Sequence, residues 1–258
     1  MKFQSRFIWT DLSTYNLQEA RDFYQSAFKW EFTPIENGSS CLAFTQRQEV
    51  SEIYLLPEKY QKKQFPSFWM PYIAVSDVEE TVEKAKKHHG AIVEVEATAF
   101  KEGGKIALIR DPLGAGFTVI EGANTEHYFN STQSVVPSFN ELHVSDLERA
   151  KVFYEDVFDW EIVIRKTAQQ ADIMLKNDEL VGTIYQFSDA DRSGYEYWMQ
   201  VFSAKDLEAA SKRILEAGGR KIAELEEGRT MFQDSQNATF ILAKPRNDKK
   251  NNHRICSH

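Results

Sequence analysis

An internal repeat constrains this chain more than any other feature of its sequence. The segment from Trp9 to Phe32 aligns without a gap with the segment from Phe139 to Ile162, at an offset of 130 residues. Identical residues fill eight matched positions, which in the first copy are Leu12, Leu17, Ala20, Phe23, Tyr24, Phe28, Trp30 and Glu31. Further matches follow in nearly the same register, such as Trp69-Met70 with Trp198-Met199. A repeat that spans nearly the whole chain predicts two copies of one domain.

Each copy contains the same order of elements twice: a strand, a helix and three further strands. Four polar residues precede runs with apolar residues at helical spacing and are therefore predicted helix N-caps: Asn16, Asp77, Asp146 and Asp206. Short runs that are typical of strands follow each helix. The predicted fold class is α+β, with four βαβββ modules that form two tandem domains.

Polar segments between and after the two repeats indicate where the domains are expected to begin and end. Domain 1 is expected over residues 1–122 and domain 2 over residues 137–245. The segment 123–136 is polar and is interpreted as a linker. Residues 246–258 are polar and basic without an apolar period, which predicts a disordered tail.

Composition and charge indicate a soluble protein of the cell interior. The formal net charge is −8, which argues against a nucleic-acid partner. No apolar run approaches the length of a membrane span, and the N-terminus lacks the apolar core of a signal peptide. The two cysteines, Cys41 and Cys256, fit a reducing compartment. We expect a cytoplasmic protein that is a monomer, with its two domains paired within the chain, or a homodimer.

Several motifs in both copies resemble the vicinal-oxygen-chelate superfamily of glyoxalases, bleomycin-resistance proteins and extradiol dioxygenases. Its helix motif is similar to Phe23-Tyr24…Phe28-Lys29-Trp30 and to Phe153-Tyr154…Phe158-Asp159-Trp160, and its DPxGN ending is similar to the run from Asp111 to Val119. The sequence most resembles a two-domain, glyoxalase-like bacterial branch. The resemblance implies cup-shaped sheets, each built from two modules. It leaves the reaction open, because the superfamily hosts many activities.

In metal-dependent members of that superfamily, His, Gln or Glu side chains at four positions of a cup bind a divalent cation. In copy one, the register of the helix caps gives Trp9 and Met70, the register of Asp111 gives Thr118, and Glu52 stands for the expected Glu of the fourth strand. In copy two they are Phe139, Thr183 or a neighbour, Met199 and Ile241. Divalent metals need oxygen or imidazole ligands, usually three or more from the protein. We therefore expect no metal in either cup and no cofactor.

The aromatic and thioether side chains at these positions have two interpretations. They line an apolar ligand pocket, or they fill the cup and belong to the core. The two are evenly supported for copy one, whereas Phe139, Met199 and Ile241 favour a filled cup in copy two. The predicted pocket residues are Trp9, Asp11, Tyr54, Met70, Tyr72, Thr118, Phe139 and Met199.

Alternation along the first strand of each copy predicts which side chains share a face. If Trp9 points into its cup, Phe7 and Asp11 point the same way, and Glu141 and His143 lie beside Phe139. A carboxylate next to an imidazole suits general acid–base catalysis, but the shared position of Asp11 and Glu141 in both copies favours a structural role, in which they hold the following helix in place. Glu52 is a candidate base if it lies deep in an apolar cup, and an ordinary surface residue if its strand is exposed.

These observations predict a protein that binds a small apolar or aromatic molecule, like a bleomycin-resistance protein that sequesters or senses its ligand. The alternative is a metal-independent isomerase or lyase with Glu52, or the pair Glu141 and His143, as the general acid–base group. An apolar lining favours the first function, and a carboxylate inside a hydrated pocket favours the second. In both cases the expected partner is a small molecule, with neither nucleic acid nor membrane involved.

Overall fold

Domain 1 is an eight-stranded sheet with its two longer helices on one face. Its strands are β1 (Arg6–Thr14), β2 (Glu31–Pro34), β3 (Ser40–Thr45), β4 (Gln48–Leu55), β5 (Phe68–Ala74), β6 (Ile92–Ala99), β7 (Lys105–Arg110) and β8 (Gly116–Glu121). Its helices are α1 (Leu17–Phe28), the single turn α2 (Glu58–Gln61) and α3 (Val78–Lys86). The strand order is β2-β3-β4-β1-β5-β8-β7-β6. It places β1 and β5, the first strands of the two modules, side by side and antiparallel at the centre.

Domain 2 repeats this arrangement. Its strands are β9 (Val136–Val144), β10 (Glu161–Ile164), β11 (Gln170–Met174), β12 (Leu180–Gln186), β13 (Tyr197–Ser203), β14 (Arg220–Glu224), β15 (Thr230–Gln233) and β16 (Thr239–Ala243). Its helices are α4 (Leu147–Phe158), α5 (Asp189–Arg192) and α6 (Leu207–Glu216). The strand order β10-β11-β12-β9-β13-β16-β15-β14 matches that of domain 1 position by position. The predicted fold class is confirmed: four βαβββ modules form two tandem domains.

The computed structural model describes residues 4–35, 38–100, 103–122, 134–166 and 169–246. Most of the predicted linker and of the predicted tail lies outside these residues, so the division of the chain at those limits stays a prediction. Val135, within the predicted linker, is buried, and its carbonyl accepts the indole N–H of Trp30 at 2.7 Å. No helix within the described ranges is long and apolar enough to cross a membrane.

All four predicted N-caps are confirmed. The side chains of Asn16, Asp77, Asp146 and Asp206 each accept the backbone N–H three residues on, at 2.8–3.1 Å. Each cap satisfies one of the N–H groups that a helix start leaves without a partner. The ends of α1 and α4 were not predicted: Lys29 and Asp159 adopt left-handed backbone conformations, with φ of 64° and 57°.

The helices bury their apolar stripes against the other domain. Phe28 of α1 packs edge-on against Phe202 and Phe240 of domain 2, with ring centroids 4.9 and 5.4 Å apart. In the matching arrangement, Phe158 of α4 packs against Phe117 of domain 1 at 5.6 Å. The first module of each domain thus shares a core with the second module of the other.

A reciprocal pair of buried hydrogen bonds joins the two repeated motifs. The Tyr24 hydroxyl donates to Asp234 at 2.9 Å, and the Tyr154 hydroxyl donates to Asp111 at 3.0 Å. Each aspartate also accepts backbone N–H groups of its own turn. Burial raises the pKa of both aspartates to about 6. The helix motif and the strand-turn ending therefore serve the interface between domains, which leaves the opposite faces of the sheets for ligands.

Candidate functional site

Alternation along the central strands separates the side chains that face the helices from those that face away. Leu12, Ile53 and Trp69 pack in the core with α1. Their chain neighbours Asp11, Glu52 and Met70 therefore point to the opposite face. In the sheet register, Asp11 lies between Glu52 on β4 and Met70 on β5. We call this face of the first sheet cup one, and the corresponding face of the second sheet cup two.

The carboxyl group of Asp11 lies at the centre of cup one. This group is buried, and it accepts the Trp9 indole N–H and the Tyr72 hydroxyl, each at 2.5 Å. Burial raises the pKa of Asp11 to about 7; the hydrogen bond from Tyr72 opposes this rise and the negative charge of Glu52 adds to it. The Asp11 carboxyl group therefore holds its proton to a much higher pH than an exposed aspartate does.

Aromatic side chains surround Asp11 and stay partly open to solvent. Trp9, Tyr54, Met70 and Tyr72 are half-buried, as is Glu52. Burial and the nearby Asp11 carboxylate raise the pKa of both tyrosines, so their hydroxyl groups are protonated at any physiological pH. Thr118, which lies opposite Tyr72 on β8, is buried. The structure thus brings together the seven candidates of copy one: Trp9, Asp11, Glu52, Tyr54, Met70, Tyr72 and Thr118.

The predicted position of Phe7 is wrong. Its ring packs between Trp160 and Trp198 in the core between domains, at centroid distances of 5.5 and 5.0 Å. The pairing of β1 with β5 shifts register between Phe7 and Trp9, and this bulge breaks the strict alternation that the prediction assumed. Trp9 and Asp11 share a face, as expected, and Phe7 does not.

The centre of cup two is closed. Phe139, Met199 and Ile241 are buried, and they pack with Val201 in one apolar cluster. The guanidinium group of Arg246 lies over the Phe139 ring, 4.1 Å from its centroid. Thr183 is also buried. These positions agree with the filled-cup interpretation of copy two.

A charged cluster lies beside this closed centre. Glu141, the counterpart of Asp11, is buried and forms an ion pair with Arg229. The His143 ring lies with Nε2 3.7 Å from the Glu141 carboxylate and Nδ1 3.2 Å from the Tyr197 hydroxyl. Tyr185 packs edge-on against the same imidazole. Glu141 and His143 are therefore neighbours, as expected, but a guanidinium group already neutralises the carboxylate.

Sequence reasoning missed three members of this cluster: Arg229, Tyr185 and Tyr197. The repeat does point to Arg229. When Asp111 is aligned with Asp234, Arg229 falls opposite Ile106, so the two copies differ in charge at this position. It also missed the hydrogen bond from Tyr72 to Asp11, which joins residues on different strands. Local patterns do not report such contacts, because they depend on the register between strands.

Comparison with known proteins decides the family. The family model described as "Glyoxalase/Bleomycin resistance protein/Dioxygenase superfamily" matches residues 6–119 and 134–237, one match in each domain. The chain belongs to this superfamily. The matches cover both copies of the repeat.

Two kinds of relative within the superfamily resemble this chain over most of its length. A Mycobacterium tuberculosis protein named "Putative glyoxylase CFP32" is 28% identical, over 92% of this chain and 94% of the relative. The "Anthracycline biosynthesis protein DnrV" of Streptomyces peucetius is 22% identical, over 82% of this chain and 81% of the relative.

Solved structures of the superfamily share the fold. A variant of homoprotocatechuate 2,3-dioxygenase from Brevibacterium fuscum superposes with a TM-score of 0.65 at 12% identity, over 96% of this chain and 73% of that one. The Mn(II)-bound glyoxalase from Novosphingobium aromaticivorans gives a TM-score of 0.61 at 11% identity, over 93% of this chain and 81% of that one.

The residues of the two cups do not supply the donor set of a superfamily metal site. The four positions in cup one carry an indole, a thioether, a hydroxyl and one carboxylate, and Asp11 adds a single further carboxyl group, whereas a divalent metal usually takes three or more oxygen or imidazole ligands from the protein. In cup two, Arg229 places a positive charge against Glu141. Within the described ranges, one group of acidic side chains converges closely enough to hold a metal, namely Asp77, Glu79 and Glu121, at the start of α3 and outside both cups.

Proposed function

We propose that this protein binds a small apolar or aromatic molecule in cup one, without the metal ion of its metal-dependent relatives. The observation that carries the proposal is the half-buried wall of Trp9, Tyr54 and Tyr72 around the buried carboxyl group of Asp11. Specific pockets usually combine an apolar lining with a few fixed polar groups. Cup two differs, because Arg246 lies over Phe139 and Arg229 pairs with the buried Glu141.

The name of one group of relatives supports an aromatic ligand. The Streptomyces proteins are named for anthracycline biosynthesis, and anthracyclines are flat polycyclic aromatic molecules. A planar ring would stack on the exposed part of the Trp9 indole, whose orientation the hydrogen bond to Asp11 fixes. Sequestering or sensing such a molecule, as a bleomycin-resistance protein does, requires no catalytic step.

Binding is tested with a neutral aromatic probe, 2-(1-naphthyl)ethanol, titrated by calorimetry. We expect saturable binding to the wild type that is weakened at least tenfold by Trp9→Ala. The control is Tyr195→Ala, which removes an exposed aromatic side chain of domain 2 outside both cups. If Trp9→Ala binds the probe as tightly as the control does, cup one is not the binding site.

A second candidate function is metal-independent proton transfer in the same cup. The observation that favours it is Asp11, because burial raises the pKa of this carboxyl group to about 7, where a residue exchanges protons efficiently at neutral pH. The Asp11 carboxylate would take a proton from a carbon next to a substrate carbonyl and return it to another position, so atoms and electrons balance without a co-reactant. Asp11 is the stronger candidate in this structure than Glu141, whose charge Arg229 already neutralises.

Deuterium exchange separates the enzyme from the binding protein. Acetophenone in D₂O with catalytic amounts of the protein should incorporate deuterium into its methyl group faster than in buffer, with a pH midpoint near 7. Asp11→Asn should abolish this acceleration, and Asp22→Asn, on the outer surface of α1, should retain it. Exchange at the buffer rate, together with binding of the naphthyl probe, would leave binding as the function.

A further inference from the structure

Each cup contains one buried carboxyl group, and the surroundings of this group differ between the two cups. Asp11 and Glu141 occupy the same position of the repeat, at the centre of each sheet, and both are buried. A buried carboxylate is costly unless a cation or several hydrogen bonds compensate its charge. In cup two the compensation is Arg229, which forms an ion pair with Glu141.

In cup one, the position that corresponds to Arg229 is occupied by Ile106. The two positions match because each lies five residues before the aspartate of the strand-turn ending, Asp111 or Asp234. The Ile106 side chain packs with Trp9 and Tyr72 in a small apolar cluster at the edge of cup one. Hydrocarbon therefore occupies in cup one the position that the Arg229 guanidinium group occupies in cup two, and the aromatic side chains around Asp11 are only partly buried.

Among the residues that the structure describes, the groups named here as acting on Asp11 are acidic or neutral. Glu52 faces it from β4, Tyr72 from β5 and Trp9 from its own strand. The two carboxyl groups also raise the pKa of Tyr54 and Tyr72. A buried carboxyl group next to aromatic rings is an arrangement that attracts an organic cation, because ring faces and carboxylates both stabilise positive charge.

We propose that the ligand of cup one carries a protonated amine on an aromatic body, and that the ammonium group lies beside Asp11 as the Arg229 guanidinium lies beside Glu141. The ring stacks against Trp9, and the ammonium donates to the Asp11 carboxylate. This inference rests on the proposed binding function and adds the charge of the ligand to it.

Three probes with one ring system and different head groups test this proposal: 2-(1-naphthyl)ethylammonium, 2-(1-naphthyl)ethanol and 1-naphthylacetate. Calorimetry should give an affinity for the ammonium at least tenfold higher than for the alcohol, and the weakest binding for the acetate. Asp11→Asn should remove most of the advantage of the ammonium over the alcohol. Asp22→Asn, which removes the same charge from the opposite side of domain 1, should retain it.

A measurement on the unaltered protein covers the case in which Asp11→Asn fails to fold. The pKa of Asp11, followed through its carboxyl ¹³C resonance, should be near 7 in the free protein and fall by at least one unit with the ammonium bound. Binding at pH 7 should therefore release protons, which is seen as different binding enthalpies in Tris and phosphate buffers.

The outcomes separate this inference from the function on which it rests. Equal affinities for the ammonium and the alcohol, both lost in Trp9→Ala, would leave the binding function standing and overturn the cationic ligand. An Asp11 pKa below 4 in the free protein would also overturn it, because the chain itself would already compensate the charge. If none of the three probes binds, the binding function and the inference both fail.

Discussion

Cup one and cup two are related by an internal repeat, yet they differ in how open and how charged they are. Cup one surrounds Asp11 with half-buried aromatic groups, and two of these, Trp9 and Tyr72, donate hydrogen bonds to it. In cup two, Glu141 occupies the position that corresponds to Asp11 and forms an ion pair with Arg229. Apolar side chains fill the adjoining space. The same backbone therefore surrounds its central carboxyl group with partly open aromatic side chains in one domain and with an ion pair and a closed apolar cluster in the other.

The helix-facing sides of the two sheets show much less divergence. Tyr24 bonds to Asp234 as Tyr154 bonds to Asp111, and the aromatic rings of α1 and α4 pack in matching ways across the domain interface. This side holds both domains together, so a change in one copy affects the packing of the other. The cups have no such mutual constraint. The difference indicates that the interface maintains the fold and that the cups are where function can vary.

The largest effect is expected on stability, when the aromatic residues at the matched positions Phe139 and Trp9 are replaced. Phe139→Ala should lower the free energy of unfolding by about 3 kcal/mol, because Phe139 is buried among other apolar side chains. Trp9→Ala should lower it by about 1 kcal/mol, since Trp9 is only partly buried. Urea denaturation of both variants measures the contrast. Equal and severe losses would mean that both cups are filled.

Breaking the ion pair of cup two should have the next largest effect. Arg229→Leu leaves the buried Glu141 carboxylate without its cation and should cost about 2 kcal/mol of stability at pH 8. Adding Glu141→Gln should restore much of this loss, because the buried charge is then gone. Ile106→Ala in cup one is the matched control, and Asp11→Asn should stabilise it at pH 8 by no more than the same substitution stabilises the wild type. A double variant no more stable than Arg229→Leu alone would contradict this account of cup two.

The raised pKa of Asp11 predicts a pH dependence of stability. The Asp11 carboxyl group titrates near pH 7 in the folded state and near 3.9 when unfolded, so the folded state holds this proton more tightly. The resulting penalty is absent below about pH 4 and grows as the pH rises to 7. Asp11→Asn should therefore gain about 2 kcal/mol relative to the wild type between pH 5 and pH 8.

The difference in stability between Asp11→Asn and the wild type does not include the contribution of the other buried aspartates. Asp111 and Asp234 also have raised pKa values, about 6, and they are present in both proteins. Urea denaturation at the two pH values measures the difference. A stability gap that stays constant from pH 5 to pH 8 would show that the Asp11 carboxyl group does not titrate in this range.

The smallest expected effect is that of divalent metal ions. We predict that 1 mM Mn²⁺ or Zn²⁺ shifts the melting temperature by less than about 1 °C. A metal ion stabilises a folded protein only if it binds to it, and we propose that neither cup binds one. Elemental analysis of protein purified without a His-tag or chelators is the direct measurement. About one metal ion per chain, lost in Glu52→Ala, would contradict the metal-free proposal.

The sequence was informative where structure depends on local pattern. The four N-caps and the order of strands and helices follow from residues that are close in sequence. The arrangement around Asp11 does not, because Tyr72 lies 61 residues away and reaches Asp11 only through the register of β1 with β5. Phe7 was misplaced for a related reason, since a bulge is invisible to simple alternation. Arg229 was overlooked although the repeat aligns it with Ile106, and a comparison of the two copies along every strand would have identified it.

The most direct test of the central claim is a crystal structure of the protein with 2-(1-naphthyl)ethylammonium bound. The account predicts one probe per chain, with the naphthyl ring stacked on Trp9 and the nitrogen within hydrogen-bond distance of the Asp11 carboxylate. Arg229 should remain paired with Glu141, and Phe139 should remain covered in cup two. A probe that occupies cup two, or that lies in cup one without approaching either Trp9 or Asp11, would contradict the account.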